Sequence, residues 1–526
     1  MSEIHHVALV GCGFTGTSAF FQLVDRYPVR EITIYEASGR FGPGYPYQPD
    51  ECPDYLINNT TDTMCLVPSN RQAFIAWLGD HPEFAGDGDA KGHLPRATYG
   101  RFLEDVVAAT RTAAAIKGIR VNLIPHEATA MREIGGRVEI VSRAGIVAVD
   151  AAMLTTGRCP DRDVYPVPPA GSPARYIANH VRTGAFDELP LDAGVHVLGA
   201  SLSAYDVVNR LFAPATGCRF ERTADGALAF VAGSNQRHVV LCSRTGRLKN
   251  MQSRTPLAFT RNHFTLDALR AASAKTRLSL ADLGALIQRE AAAQGAEIDW
   301  NAVVDPYAGC RTAEAVNAQA GALLAKGIAA VEEGGAANFL VDFFANAQLT
   351  IWDAFAARLL APADEAAYRA RFESAVLSYA APCPVPTAER LLALHRAGRL
   401  RVVAGAGDVA LAADGTHYAI RHGHGVERAT TLVNTTGALD RRVGSSMQPP
   451  LIRSLVAEGL LQPYALDGEE ANGAAVDMAT LRAAGSRNIY VANMLLWGPG
   501  FFTSSAFVMA TMVERILRGM FPAAAD

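Results

Sequence analysis

The stretch His6-Val-Ala-Leu-Val-Gly-Cys-Gly-Phe-Thr-Gly16 restricts what this chain can fold into more than any other. Its apolar run reads as a buried strand, broken by Gly11, Gly13 and Gly16 in G-x-G-x-x-G spacing and continued by a helical run from Thr17 to Asp25. The first glycine permits a tight turn, the second lets backbone approach a pyrophosphate, and the third lets helix and strand pack closely. Phe14 and Thr15 open the helix whose unpaired N–H groups face those phosphates. A second strand, Glu-Ile-Thr-Ile-Tyr-Glu36, ends on an acid twenty positions after Gly16. Glu36 is placed to accept hydrogen bonds from a ribose hydroxyl, so strand, turn, helix and acid together predict dinucleotide binding.

At 526 residues the chain is long enough for two or three domains. Its 48 basic and 52 acidic residues, net −4, give no electrostatic reason to expect nucleic acid or an anionic membrane as partner. The eight cysteines contain no C-x-x-C pair, which argues against a dithiol centre or zinc ribbon, and no metal site is expected. They read as inert core thiols of a reducing compartment, hence a cytoplasmic location. The first strand begins too early to leave room for a signal peptide. The apolar run from Met494 to Val513 is interrupted by Gly498, Pro499 and Gly500 and by the polar Thr503, Ser504 and Ser505, so it reads as a loop and a buried helix.

Between Gly39 and Met64 the density of glycine and proline forbids regular structure, and the backbone is expected to wrap around the cofactor through Tyr45, Tyr47 and Asn58. The alternative is a plain surface loop, against which the aromatic side chains argue. Asp150-Ala-Ala-Met-Leu-Thr-Thr-Gly-Arg-Cys-Pro160 reads as the exit of a dinucleotide domain, with Thr156 and Gly157 passing close to the cofactor. A second turn follows, in which Gly199, Ser201 and Ser203 supply the small residues before a helix from Ala204 to Phe212. The next strand ends in Ser243 and Arg244, where an NAD site would carry an acid. A basic residue there pairs with a 2′-phosphate and favours NADPH, the competing reading being a solvated loop charge.

From Phe259 to Tyr379 the pattern turns helical, including a capped helix at Ser279, and Trp300, Phe343, Phe344 and Trp352 read as core. This block reads as an insertion that covers the active site or supports a contact in a homo-oligomer. Thr430-Thr-Leu-Val-Asn-Thr-Thr-Gly437 repeats the earlier exit, with Thr436 and Gly437 in the cofactor-facing positions. Asn493, Phe502 and Thr503 precede a last helix whose positive end is suited to stabilise negative charge on a flavin. The fold class is therefore α/β, two interleaved Rossmann-like domains with a helical insertion.

Taken together, Gly11 to Gly16, Gly42 to Tyr47 with Asn58, Leu154 to Gly157, Gly199 to Ser203 with Ser243 to Gly246, and Tyr490 to Ser505 resemble bacterial flavoproteins with two dinucleotide-binding domains. Within these, the chain resembles the relatives of flavin-dependent N-hydroxylating monooxygenases, Asp150 to Pro160 looking like their fingerprint with Thr155 in place of the usual alanine. A further departure is Asn493, where many relatives carry an aspartate. The resemblance implies an FAD domain at 1–165 and 440–526, an NADPH domain at 190–255 and 386–439, and a mainly helical insertion at 256–385. It also implies hydride transfer from NADPH to FAD, capture of O2 as a C4a-hydroperoxyflavin and oxidation of a small amine or amino acid, an aspartate-like one among the candidates. For an anionic substrate, Arg247, Lys249 and Arg254 form the densest basic run, with Asn58 a further contact candidate. The alternative is an NAD(P)H-dependent flavin reductase with a non-oxygen acceptor.

Overall fold

The computed structural model describes residues 4–84, 88–162, 165–182 and 184–522. Two parallel sheets of five strands organise it. The first runs in the order Ile489–Val491, Ala151–Leu154, His6–Val10, Glu31–Tyr35, Arg120–Ile124. The second runs Leu400–Ala404, His238–Ser243, Gly194–Leu198, Thr431–Asn434, Arg175–Ile177. In each, the strand that enters the glycine turn lies between the next strand of its unit and the strand that ends in Thr-Thr-Gly. That is the topological switch point of a doubly wound sheet, where a crevice opens beyond the carboxyl ends of the strands.

The two units repeat one plan. Helices Phe14–Arg26, Arg96–Ile116 and Ala506–Met520 pack together at the first sheet, which also meets a three-stranded antiparallel meander, 128–149. Helices Leu202–Leu211, Ala313–Glu333 and Val385–Arg396 serve the second sheet, with a meander at 409–429 against it. The central strands are buried on both faces, as parallel strands with covered faces must be; Val7, Ala8 and Leu9 have no exposed surface, nor do Val195 and Val197.

Two features differ from the sequence reading. Arg175–Ile177 pairs with Thr431–Val433 and extends the second sheet ahead of residue 190. Helix Ala313–Glu333 belongs by packing to the second sheet, because Val316 and Ala320 sit against Val402 while Leu324 and Val331 enter that unit's core. The other helices between 266 and 380 enclose a separate apolar core, which also takes in Trp497, Phe501 and Phe502 from the terminal segment. Helix Leu280–Ala293 starts in a full capping box, Ser279 accepting from the N–H of Asp282 and Asp282 reaching back. Among the described residues no helix is long and apolar enough to cross a membrane.

Candidate functional site

The first crevice is closed by a threonine latch. Gly11 adopts φ +105°, and a Cβ there would lie 2.5 Å from the carbonyl oxygen of Thr155. The Thr155 hydroxyl donates to the carbonyls of Val10 (3.1 Å) and Gly11 (2.6 Å), locking the exit strand onto the glycine turn. Gly16 makes the close helix–strand approach, since a Cβ would stand 2.1 Å from Gly11 O. Gly13 meets the wrapping segment, its Cβ position 3.2 Å from Gly44 Cα. Asp150 of the fingerprint is structural, accepting from the N–H groups of His5 and His6 at 2.9 and 2.8 Å.

Glu36 accepts from Cys12 N at 2.9 Å and from Ser38 N at 3.0 Å. It lines a cavity of about 210 Å³ together with Gly11, Thr156 and Asn493. Asn493 donates to the Thr156 hydroxyl at 3.0 Å and accepts from Leu495 N at 2.9 Å, so these two expected residues share one wall. Gly157 follows at φ +72°. Tyr45 is exposed beneath the Arg158 guanidinium, 5.2 Å from ring centroid to Cζ, and Tyr47 packs edge-on to Tyr99 at 5.0 Å. Asn58 is half-buried in the same wrapping segment. Phe502 holds φ +51°, a costly backbone for an aromatic residue, and the buried hydroxyl of Thr503 next to it has no hydrogen-bond partner. The glycine cradle and the acid at the end of the second strand fit a bound dinucleotide.

The second crevice repeats the latch. Gly199 adopts φ +123°, a Cβ there would stand 2.8 Å from Thr435 O, and the Thr435 hydroxyl donates to Leu198 O at 2.8 Å. The helix begins at Leu202, two residues earlier than the sequence suggests, with half-buried Ser201 at its cap and Ser203 in its first turn. Ser243 accepts from Gly246 N at 2.9 Å and shapes the loop that carries the exposed Arg244. Thr436 donates to Asn434 at 2.9 Å ahead of Gly437, which has φ +60°. Neither latch threonine stands out alone; the signal is the doubled Thr-Thr-Gly, in which the first threonine binds the turn and the second faces outward.

Between the crevices lies a buried polar cluster that sequence reading missed. Arg96 pairs with Asp206 at 2.8 Å across the two units, and Tyr55 donates to His180 O at 3.2 Å. Burial lifts the Glu51 carboxyl to about 8 against the pull of Arg96, and leaves its Oε2 without a partner. Burial, with Arg96 and Arg158, lowers His180 to about 4. These residues are scattered through sequence without a shared motif, so only the fold brings them together.

The basic run does not form one pocket. Arg247 clamps the carbonyls of Val303 (2.5 Å) and Val304 (2.6 Å), tying the second unit to the insertion. Lys249 donates to Leu377 O at 2.6 Å, and burial lowers its ammonium to about 8. Arg254 sits in an exposed pair with Glu332 at 2.9 Å. All three heads are engaged within the chain. Burial also raises the thiols of Cys12, Cys242 and Cys383 to about 12, consistent with unreactive core cysteines.

The FAD-NAD(P)-binding family model matches residues 8–159. No curated protein matches in sequence. In fold, the chain is similar to L-lysine 6-monooxygenase from Pseudomonas syringae, at 14% identity and TM-score 0.54, with 100% of each chain covered. It is also similar to an ornithine N-hydroxylase from Kutzneria sp. 744, described with reduced FAD, NADP+ and L-ornithine, at 14% identity and TM-score 0.48, covering 99% of this chain and 100% of that one. Residues 8–159 are thus an FAD-NAD(P)-binding domain, set in a chain whose whole length has the fold of the L-lysine 6-monooxygenase.

Proposed function

We propose that this protein is an FAD- and NADPH-dependent monooxygenase that oxidises the nitrogen of a small amine or amino acid. What supports the reading is the duplicated latch, Thr155 on Gly11 and Thr435 on Gly199, at the switch points of two doubly wound sheets. FAD is assigned to the first and NADPH to the second. When bound, the flavin supplies the redox and oxygen chemistry. The chain's residues bind, orient and exclude water: the glycine turns take the pyrophosphates, Glu36 takes a ribose, and Arg244 takes the 2′-phosphate. Asn493 and Thr156 form the inner wall beside the first turn. Glu51 keeps its proton at neutral pH and is the interface group fitted to hold or pass one.

The engaged heads of Arg247, Lys249 and Arg254 leave the carboxylate-binding group of an amino-acid substrate unassigned, so an uncharged amine fits the site as well as an aspartate-like one. The test is steady-state turnover with NADPH, O2 and a panel of amines and amino acids. NADPH consumption, O2 consumption and N-oxidised product are measured together. Equal amounts of all three with one class of nitrogen compound are expected. Quantitative electron transfer to a quinone or dye, with no oxygenated product from any compound, would assign the chain to the flavin reductases instead.

A further inference from the structure

Away from both crevices, the helical insertion carries a solvent-open cavity of about 570 Å³ with almost entirely apolar walls. Its floor is Phe264, Ile287, Phe344, Phe355 and Tyr368, all at most 8% exposed, and its mouth opens past the exposed Ala281, Ala285 and Val304. Trp300, expected from sequence to be core, is partly buried against the insertion's apolar core and lines this cavity. An apolar concavity of this size is the kind of site that takes a small apolar ligand.

One further observation points to a ligand. Tyr368–Phe372 is a π-helical turn, a rare local widening often found at functional sites, and both of its ends line the cavity. We propose that this cavity is a binding site for an uncharged molecule with an alkyl or aromatic body. An apolar cavity of about 150 Å³ holds one benzene, so this one takes a body on the order of ten carbon atoms.

The cavity's floor meets the terminal segment through one aromatic contact. Phe355 on its floor stacks on Phe501 at 6.2 Å and 6°, and Phe502 and Thr503 follow directly. Arg369, beside Tyr368, reaches the carbonyl of Trp497 at 3.2 Å. An occupant therefore bears on the terminal segment, whose Asn493 and Leu495 line the first crevice.

The test is calorimetric titration of the full chain with primary alcohols of increasing length, below their solubility limits. Saturable one-to-one binding is expected, tightening about fourfold per methylene up to on the order of ten carbons. Gly284 lines the cavity in mid-helix and has nothing within 4 Å of its Cβ position, so Gly284→Leu fills the space without a clash. Leucine also favours the helix more than glycine does. This change is expected to weaken 1-decanol at least tenfold, and Ala285→Phe at the rim is an independent second plug. Both plugs are expected to weaken butylbenzene as they weaken 1-decanol. Unsaturable binding, or equal 1-decanol affinity in wild type and plugged variants, overturns the site. Each readout is binding, so the outcome stands apart from whether the chain proves to be a monooxygenase.

Discussion

Arg96 and Asp206 meet at 2.8 Å with side chains 13% and 6% exposed, and this ion pair joins helix Arg96–Ile116 of the first unit to helix Leu202–Leu211 of the second. Burial raises the Asp206 carboxyl to about 6 even though Arg96 pulls it down, so desolvation outweighs the attraction. Such a pair adds little net stability, but removing one partner strands the other in a dry interior. Arg96→Ala is expected to destabilise the protein by about 3–5 kcal/mol, and Arg96→Met with Asp206→Leu by much less. Denaturant unfolding of the three proteins decides this. A cost below about 1 kcal/mol for Arg96→Ala would mean that water reaches Asp206.

Glu51, in the same interface, gives stability a definite pH dependence. Its native carboxyl titrates near 8 because of burial, against an ordinary value of 4.5. Between those values the folded chain holds a proton that the unfolded chain has released. Stability from this group is therefore fully present below 4.5 and is lost as pH rises through 8. His180 has the opposite sign: lowered to about 4, it contributes above 6.5 and loses that contribution as pH falls through 4. Glu51→Gln is expected to gain on wild type by a few kcal/mol as pH rises from 5 to 9. A difference that stays constant over that interval, measured by urea unfolding, would show that native Glu51 is ionised throughout.

What was legible in the chain was whatever is local. Strand, glycine turn and helix at 6–26 are encoded within some twenty residues, and the Ser279 cap within four, so both could be read directly. Glu36 was legible because the length of a βαβ unit fixes its distance from Gly16. Arg96 and Asp206 are 110 positions apart and share no periodicity, so only tertiary packing makes them partners. The basic run of Arg247, Lys249 and Arg254 shows the converse. Adjacent cations suggest one anion site, yet Val303, Leu377 and Glu332 hold them apart. The placement of Ala313–Glu333 was also hidden, because its apolar face does not state which sheet it covers.

The duplicated latch separates the two nucleotides experimentally. Valine is close in shape to threonine but cannot donate, so Thr155→Val strips the bonds to Val10 O and Gly11 O, and Thr435→Val strips the bond to Leu198 O. The Val10 and Leu198 carbonyls keep the backbone N–H groups of Thr155 and Thr435, each at 2.9 Å, whereas the Gly11 carbonyl loses its hydroxyl donor, a loss that costs about 1–3 kcal/mol. Thr155→Val is expected to lower the FAD retained on purification. Thr435→Val is expected to keep FAD and to raise the KM for NADPH severalfold. Loss of FAD in both variants, by absorbance ratio, would mean that the two crevices are not independent nucleotide sites.

Glu36 and Arg244 occupy corresponding places, each directly after the second strand of its unit, and they carry opposite charge. Glu36 is tied into the chain by Cys12 N, whereas Arg244 is exposed and its guanidinium has no hydrogen-bond partner among the described residues. A carboxylate at this place suits two ribose hydroxyls and repels a phosphate; a guanidinium does the reverse. Charge-assisted hydrogen bonds contribute about 1.5–3 kcal/mol, so Arg244→Ala is expected to raise the KM for NADPH by about ten- to a hundredfold while leaving that for NADH unchanged. Arg244→Glu is expected to go further and invert the preference. Parallel losses for both nucleotides would assign Arg244 to the shared pyrophosphate or to loop stability. No change for either would leave it a solvated charge, and the choice of NADPH over NADH would then rest on another residue.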